Sequence, residues 1–278
     1  MFKTVLEYII YLNLIISTSA GFLASGIANL FALDNYLYYG LFGFFSTLSV
    51  YNIQRLIKSK TSTKTPWLSW VFEHKTLIII ISVLSAFLTA FFFIRVLNNI
   101  NLMVISLMSL AVLISYFYVV RIGNKNIREL PYIKIHCIAL TWTTVIVAFP
   151  LMNENILDCK MTMLIIPAHY IYFLAIAIPF DIRDLKYDLL TQRTIPQVVG
   201  TINAKLISIL LLIITSIILA SIFSGQLLTP LFIIAILIQI LFVLFATEKR
   251  QDFFYSVFLD GAIALLGISY LSMNSGLI

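Results

Sequence analysis

Asp181-Ile182-Arg183-Asp184-Leu185-Lys186-Tyr187-Asp188-Leu189-Leu190-Thr191-Gln192-Arg193-Thr194-Ile195-Pro196-Gln197-Val198-Val199-Gly200 follows directly on the apolar run 161–180. On a helix turning 100° per residue, Asp181, Asp184 and Asp188 project within a sector of roughly 60°. Arg183 and Lys186 point the other way. None of the three carboxylates has a basic residue at i±3 or i±4, and they are such neighbours of one another. Like-charge pairs at that spacing are mildly destabilising, so a cation is expected among them. A hard divalent ion suits an all-oxygen site, and Mg2+ is commonly held by one or two carboxylates plus substrate phosphates. The plainer reading is a solvated acidic turn.

Outward from this stretch the chain is greasy: 61% of its 278 residues are hydrophobic, 11% are charged, and the mean hydropathy is +1.03. An ordinary soluble domain is excluded. Apolar runs near 8–31, 36–57, 76–97, 102–120, 131–151, 161–180, 205–223, 227–246 and 253–273 are each about 20 residues, enough to cross a bilayer as a helix. They predict an all-α integral membrane protein of nine spans, with 1–278 forming a single domain. A cytoplasmic N-terminus places nearly all of the 18 Lys and Arg on the cytoplasmic side, leaving only Arg95 and Lys160 opposite, and puts the C-terminus outside. The longer connections near 58–75, 121–130 and 181–204 are then cytoplasmic and are expected to cap one mouth of the bundle. The net charge of +6 reflects topology and anionic headgroups rather than nucleic acid. Cys137 and Cys159 form neither a metal spacing nor a disulfide framework.

Asp-x-x-Asp-x-x-x-Asp followed by Arg193-Thr194-Ile195-Pro196 and Gly200, at the end of a membrane helix, resembles the second aspartate motif of the UbiA superfamily of intramembrane prenyltransferases. The resemblance implies a UbiA-like bundle in which Asp181, Asp184 and Asp188 bind Mg2+ and the diphosphate of a prenyl donor, with Arg193 nearby as a substrate contact. The first motif of that family, Asn-Asp-x-x-Asp-x-x-x-Asp, falls at the end of the second span. Asn52 matches it, but Ile53, Leu56 and Lys60 stand in the carboxylate positions. A first motif without carboxylates cannot bind Mg2+ as its counterpart would. Arg55, with Lys58 assisting, is therefore expected to contact diphosphate directly, because a planar guanidinium suits bidentate phosphate recognition. Basic residues at a cytoplasmic helix end are equally what topology alone requires. UbiA-like chains carry Tyr-x-x-x-Lys after the fourth span. Here Tyr118 is followed four residues later by Ile122, and Arg121 and Lys125 are the candidate substitutes.

Other residues read as structural. Trp67 and Trp70 are expected as interfacial anchors, and Glu73 with His74 as a solvated loop end. His136 and His169 are ionisable groups within spans, expected to bond neighbouring helices. Asp260 is expected either to pair with a basic residue or to line a polar cavity.

Taken together, these features point to an intramembrane prenyltransferase that moves a prenyl group from a prenyl diphosphate to a lipophilic acceptor with Mg2+ assistance. The alternative is a non-catalytic UbiA-like protein that binds isoprenoid lipid or a partner enzyme. No broken-helix pair marks a transporter midplane site, and the Asp-Gly-x-x-Ala-Arg signature of CDP-alcohol phosphotransferases is absent.

Overall fold

Apolar runs of this length leave the backbone no partner but itself in lipid, and the regular structure among the described residues is all helical. The computed structural model describes residues 2–61, 65–98, 102–121, 126–156, 160–222 and 229–273; Lys125 and Cys159 lie outside the described residues. The helices are α1 (Phe2–Tyr11), α2 (Leu14–Leu30), α3 (Tyr36–Thr61), α4 (Pro66–Glu73), α5 (Lys75–Val96), α6 (Leu102–Phe117), α7 (Ile133–Trp142), α8 (Phe149–Asn153), α9 (Lys160–Asp184), α10 (Ile195–Ile222), α11 (Pro230–Phe245) and α12 (Asp260–Leu271). One π-helical turn, Thr143–Ala148, joins α7 to α8, and another, Phe254–Leu259, leads into α12.

Five helices are long and apolar enough to cross a membrane: Lys75–Val96, Ile133–Asn153, Met161–Asp184, Ile195–Ile222 and Phe254–Leu271. The bent pair Val5–Tyr11 and Leu14–Leu30 makes a sixth if taken as one span. Helices α3, α6 and α11 lie under the other three of the nine apolar runs. Leu102–Phe117 and Pro230–Phe245 are the shorter ones. Helix α3 is 26 residues long, but its last turns carry Gln54, Arg55, Lys58 and Lys60.

Helix α2 packs between α3 and α12, α3 also packs on α5, and α9 packs on α7 and α10. Without a hydrophobic drive between helices in lipid, small residues at interfaces let backbones approach closely. A Cβ on Gly267 of α12 would fall 2.4 Å from the Phe22 carbonyl carbon of α2, so only glycine fits there.

The first span is not the continuous helix that the run 8–31 suggests. Asn13 adopts a left-handed conformation (φ 61°), and the pieces on either side of it meet at 55°. The break orphans the last carbonyls of α1, and α3 satisfies them. Asn52 Nδ2 donates to the Leu12 carbonyl (3.1 Å) while Asn13 Nδ2 donates to Asn52 Oδ1 (2.8 Å). Arg55 donates to the carbonyls of Tyr11 (3.1 Å) and Ile10 (3.5 Å), a cation where the helix dipole favours one.

Candidate functional site

The aspartate stretch is positioned by two local devices. Pro179 within α9 has no N–H, so the Ala175 carbonyl four residues earlier loses its helical donor. Ser208 Oγ of α10 donates to that carbonyl at 2.7 Å, tying the end of α9 to its neighbour. At the start of α10, the Thr194 backbone N–H donates to Gln197 Oε1 (2.9 Å), the return half of a capping box. Gln197 Nε2 reaches back to the Leu189 carbonyl (3.2 Å). Thr194-Ile195-Pro196-Gln197 is thus a helix start that closes the loop against the aspartates.

Asp181 and Asp184 occupy the last turn of α9, but Asp188 lies beyond the helix end in a turn whose N–H donates to the Asp184 carbonyl (2.8 Å). One helical face therefore carries two of the carboxylates, and an extra turn brings in the third. The cation that sequence spacing calls for is Lys134, in the first turn of α7. Its Nζ lies 2.9 Å from Asp181 Oδ1 and 3.4 Å from Asp184 Oδ2, and it pairs with Asp188 Oδ2 as well. Lys134 is only 4% exposed, and a lysine so deep requires such partners. Arg128 Nη2 pairs with Asp188 Oδ1 (3.2 Å), and Arg183 Nε with Asp184 Oδ1 (2.8 Å). The expectation that Arg183 points away from the carboxylates is corrected: it folds onto its chain neighbour. A backbone bond from Tyr132 N to the Gln192 carbonyl (2.8 Å) stitches the Arg128–Lys134 segment to the aspartate loop.

These groups line a cavity of about 770 Å³ walled by α3, α7, α9, the start of α12 and parts of all three long connections. Seven Lys and Arg side chains line it against five Asp and Glu, so its field favours an anion. Arg55, Lys58, Tyr118 and Arg121 all line it, as do Asp181, Asp184 and Asp188. Tyr118 carries two cations over its ring, Lys58 Nζ at 5.1 Å and the Arg128 guanidinium at 5.3 Å from the centroid. Burial pulls the Arg128 pKa down, but the Tyr118 oxygen and the carboxylates of Asp188, Asp184 and Asp181 outweigh it and raise the value above that of a free guanidinium.

A second cavity of about 380 Å³ is almost wholly apolar and lies between α3, α5, α6 and α7. It shares Val50, Tyr51, Ser115, Thr141 and Trp142 with the charged one. The π-helical turn Thr143–Ala148 contributes Val145 and Ile146 to its wall, and the turn Phe254–Leu259 contributes Ser256 to the charged cavity; such turns are frequent at functional sites.

Several expected positions lie elsewhere. Asn52 is fully buried at the α1–α2 break and is not among the residues lining the cavity. Arg193 is exposed in a left-handed turn (φ 46°), outside the lining. Trp67, expected at the membrane interface, lines the cavity with the Arg55 guanidinium 4.9 Å above its ring. Asp260 lines the cavity too. His169 bonds the Ile165 carbonyl (2.8 Å) and Tyr270 of α12 (3.1 Å), and His136 bonds Tyr170 (2.6 Å). Glu73 is exposed, as expected of a loop end, whereas His74 is half-buried and stacks on Trp70 at 4.1 Å. Lys134 and Arg128 are the residues that sequence reasoning missed. The available signal was a lysine opening an apolar run, which in a span is a functional candidate.

No family model matches the chain, and no curated protein matches it. Among solved structures, a UbiA homologue from Archaeoglobus fulgidus bound to GPP and Mg2+ aligns over 96% of this chain and 100% of its own, at TM-score 0.61 and 17% identity. The chain has the UbiA fold. A further structure of that UbiA homologue gives TM-score 0.59 at 17% identity, over 96% of this chain and 100% of its own. Digeranylgeranylglyceryl phosphate synthase, a membrane enzyme, gives 0.55 at 15% identity, over 96% of this chain and 98% of its own. In this UbiA-fold chain, the charged cavity is where the aspartate stretch, Arg55 and Lys58 of α3, and the connection after α6 converge.

Proposed function

We propose that the protein is an intramembrane prenyltransferase of the UbiA superfamily, taking a prenyl diphosphate from the bilayer and transferring its prenyl group to a lipophilic acceptor. The single observation that carries this is the shared wall of the two cavities. A cationic chamber abuts an apolar one across Tyr51 and Trp142, adjoining spaces that suit a charged head and a hydrocarbon tail. In the reaction the C1–O bond of the donor breaks, the electron pair leaves with diphosphate, and the acceptor bonds to C1 as it loses a proton. Arg55, Lys58, Arg128 and Arg121 supply fixed positive charge where the leaving group's charge grows, and the aromatic walls exclude water from the allylic cation. Arg55 keeps this role while part of its fork holds the end of α1.

Mg2+ accompanies GPP in one UbiA neighbour, but the donor set here does not fit it. Every oxygen of Asp184 and Asp188, and one of Asp181, faces a protein cation. The buried Asp181 Oδ2 is the one left without a hydrogen bond among the described residues. The same saturation favours a second reading, a non-catalytic protein that binds isoprenoid lipid or a partner enzyme.

Release of inorganic pyrophosphate from a panel of prenyl diphosphates, with purified protein in detergent and candidate acceptors, separates the two. Release supports the transferase, and tight binding without release supports the lipid-binding reading. We propose further that residues 1–278 form one domain of nine spans, with the N-terminus cytoplasmic, the C-terminus outside and the charged cavity under a cytoplasmic cap. The bilayer is the other partner.

A further inference from the structure

The three carboxylates of the aspartate cluster are matched in number by the three basic residues around them, one of which, Arg183, also lies 3.9 Å from Asp252. Asp181, Asp184 and Asp188 contribute three negative groups, and Lys134, Arg128 and Arg183 contribute three positive ones, all ion-paired. Lys134 differs from the other two because its ammonium meets an oxygen of each carboxylate at one point. That is the position a small cation shared by three carboxylates would take. The arrangement is built rather than incidental. Lys134 sits at the start of α7 behind the left-handed Tyr132, whose N–H is fastened to the aspartate loop at Gln192. From α3 the cavity is lined by Val50, Tyr51, Gln54, Arg55, Ile57 and Lys58, none of which supplies a carboxylate to begin a second ion site.

We propose that the ε-ammonium of Lys134 takes the place of a divalent metal in this cluster, so that the cavity binds an organic diphosphate on protein cations alone. A divalent ion entering here would have to expel a buried ammonium from three partners. Mg2+ also dehydrates reluctantly and demands near-octahedral oxygen geometry. With its carboxylates neutralised internally, the cluster no longer repels an anion, and Arg55, Lys58, Arg121 and Lys186 leave the cavity with an excess of positive charge. The carboxylates then act as positioning residues that hold Lys134 and Arg128 toward the ligand.

The diphosphate half of this proposal rests on the prenyltransferase reading, whereas the occupancy of the cluster does not, and two measurements on the full chain in detergent keep them apart. In the first, Mn2+ binding is followed by electron paramagnetic resonance without any organic ligand. Wild type is expected to take up no Mn2+, and Lys134→Ala to bind one ion; uptake by wild type overturns the proposal. Should Lys134→Ala fail to fold, Lys134→Ala/Asp188→Asn removes one charge of each sign and leaves two carboxylates to report. In the second, affinity for geranyl diphosphate is measured in EDTA and in Mg2+. Wild type should change by no more than about twofold, while Lys134→Ala should lose about tenfold in EDTA, equivalent to one charge-assisted contact, and regain it with Mg2+. Wild-type binding that vanishes in EDTA and returns with Mg2+ refutes metal replacement. If geranyl diphosphate binds under neither condition, the prenyltransferase reading and the diphosphate half of the proposal fall together, and the Mn2+ result still decides whether Lys134 fills the cluster.

Discussion

Replacing Lys134 by methionine, which keeps the unbranched stem and deletes the charge, exposes how the aspartate cluster is held together. In the native chain Asp184 keeps Arg183 and Asp188 keeps Arg128 when the ammonium is gone. Asp181, 1% exposed, has Lys134 as its ion-pair partner among the described residues. The variant therefore leaves one buried carboxylate uncompensated and two others facing it. Breaking a buried pair by removing one partner costs about 3–5 kcal/mol, far more than the pair adds relative to apolar substitutes. For a chain of this size that corresponds to a fall in Tm on the order of 10 °C. The second variant is Lys134→Met/Asp181→Asn, which removes the stranded charge along with its partner. The double variant should recover most of the loss, so that the two substitutions are strongly non-additive. Thermal unfolding in one detergent, followed by intrinsic fluorescence for wild type, both single variants and the double, measures the cycle. Additive shifts, or a Lys134→Met protein as stable as wild type, would refute the claim that the ammonium neutralises the cluster.

Three further outcomes follow from particular contacts. Ser208→Ala removes the donor that, among the described residues, satisfies the carbonyl that Pro179 frees; thermal scans should show a loss of about 1 kcal/mol, and Pro179→Ala in the same background should return much of it. Gly267→Ala would drive a Cβ to within 2.4 Å of the α2 backbone and should cost about 1–3 kcal/mol or more, read as a lower Tm, whereas Gly261→Ala, whose Cβ would meet its nearest neighbour at 3.8 Å, should be close to neutral. Arg55→Lys keeps the charge but loses the planar fork, one nitrogen of which, Nη1, holds the Tyr11 and Ile10 carbonyls; it should weaken geranyl diphosphate binding nearly as much as Arg55→Gln, and wild-type affinity in Arg55→Lys would show that the fork is not used.

Much of this architecture is decided by the sequence acting locally. A run of some twenty apolar residues must close its own backbone hydrogen bonds in lipid, so helix lies under the nine runs, broken at Asn13 in the first, where α3 supplies the missing donors. Asp181 and Asp184 share a face because helical periodicity acts over three residues, and Thr194 to Gln197 begin a helix because a capping box spans a single turn. Tertiary structure decided what local spacing could not. No rule of periodicity connects Lys134 to Asp184, 50 residues later, yet the packing of α7 on α9 puts the ammonium among three carboxylates. Asn52 and Arg55 show the same limit from the other side. Their place in the sequence suggested a phosphate motif, but the chain breaks at Asn13, about 40 residues earlier, and the orphaned carbonyls there claim Asn52 entirely and Arg55 in part. A side chain's chemistry is written in its residue type, whereas the partner that neutralises it is fixed only when distant helices pack, because charges in a water-poor interior must find whichever opposite group the fold delivers.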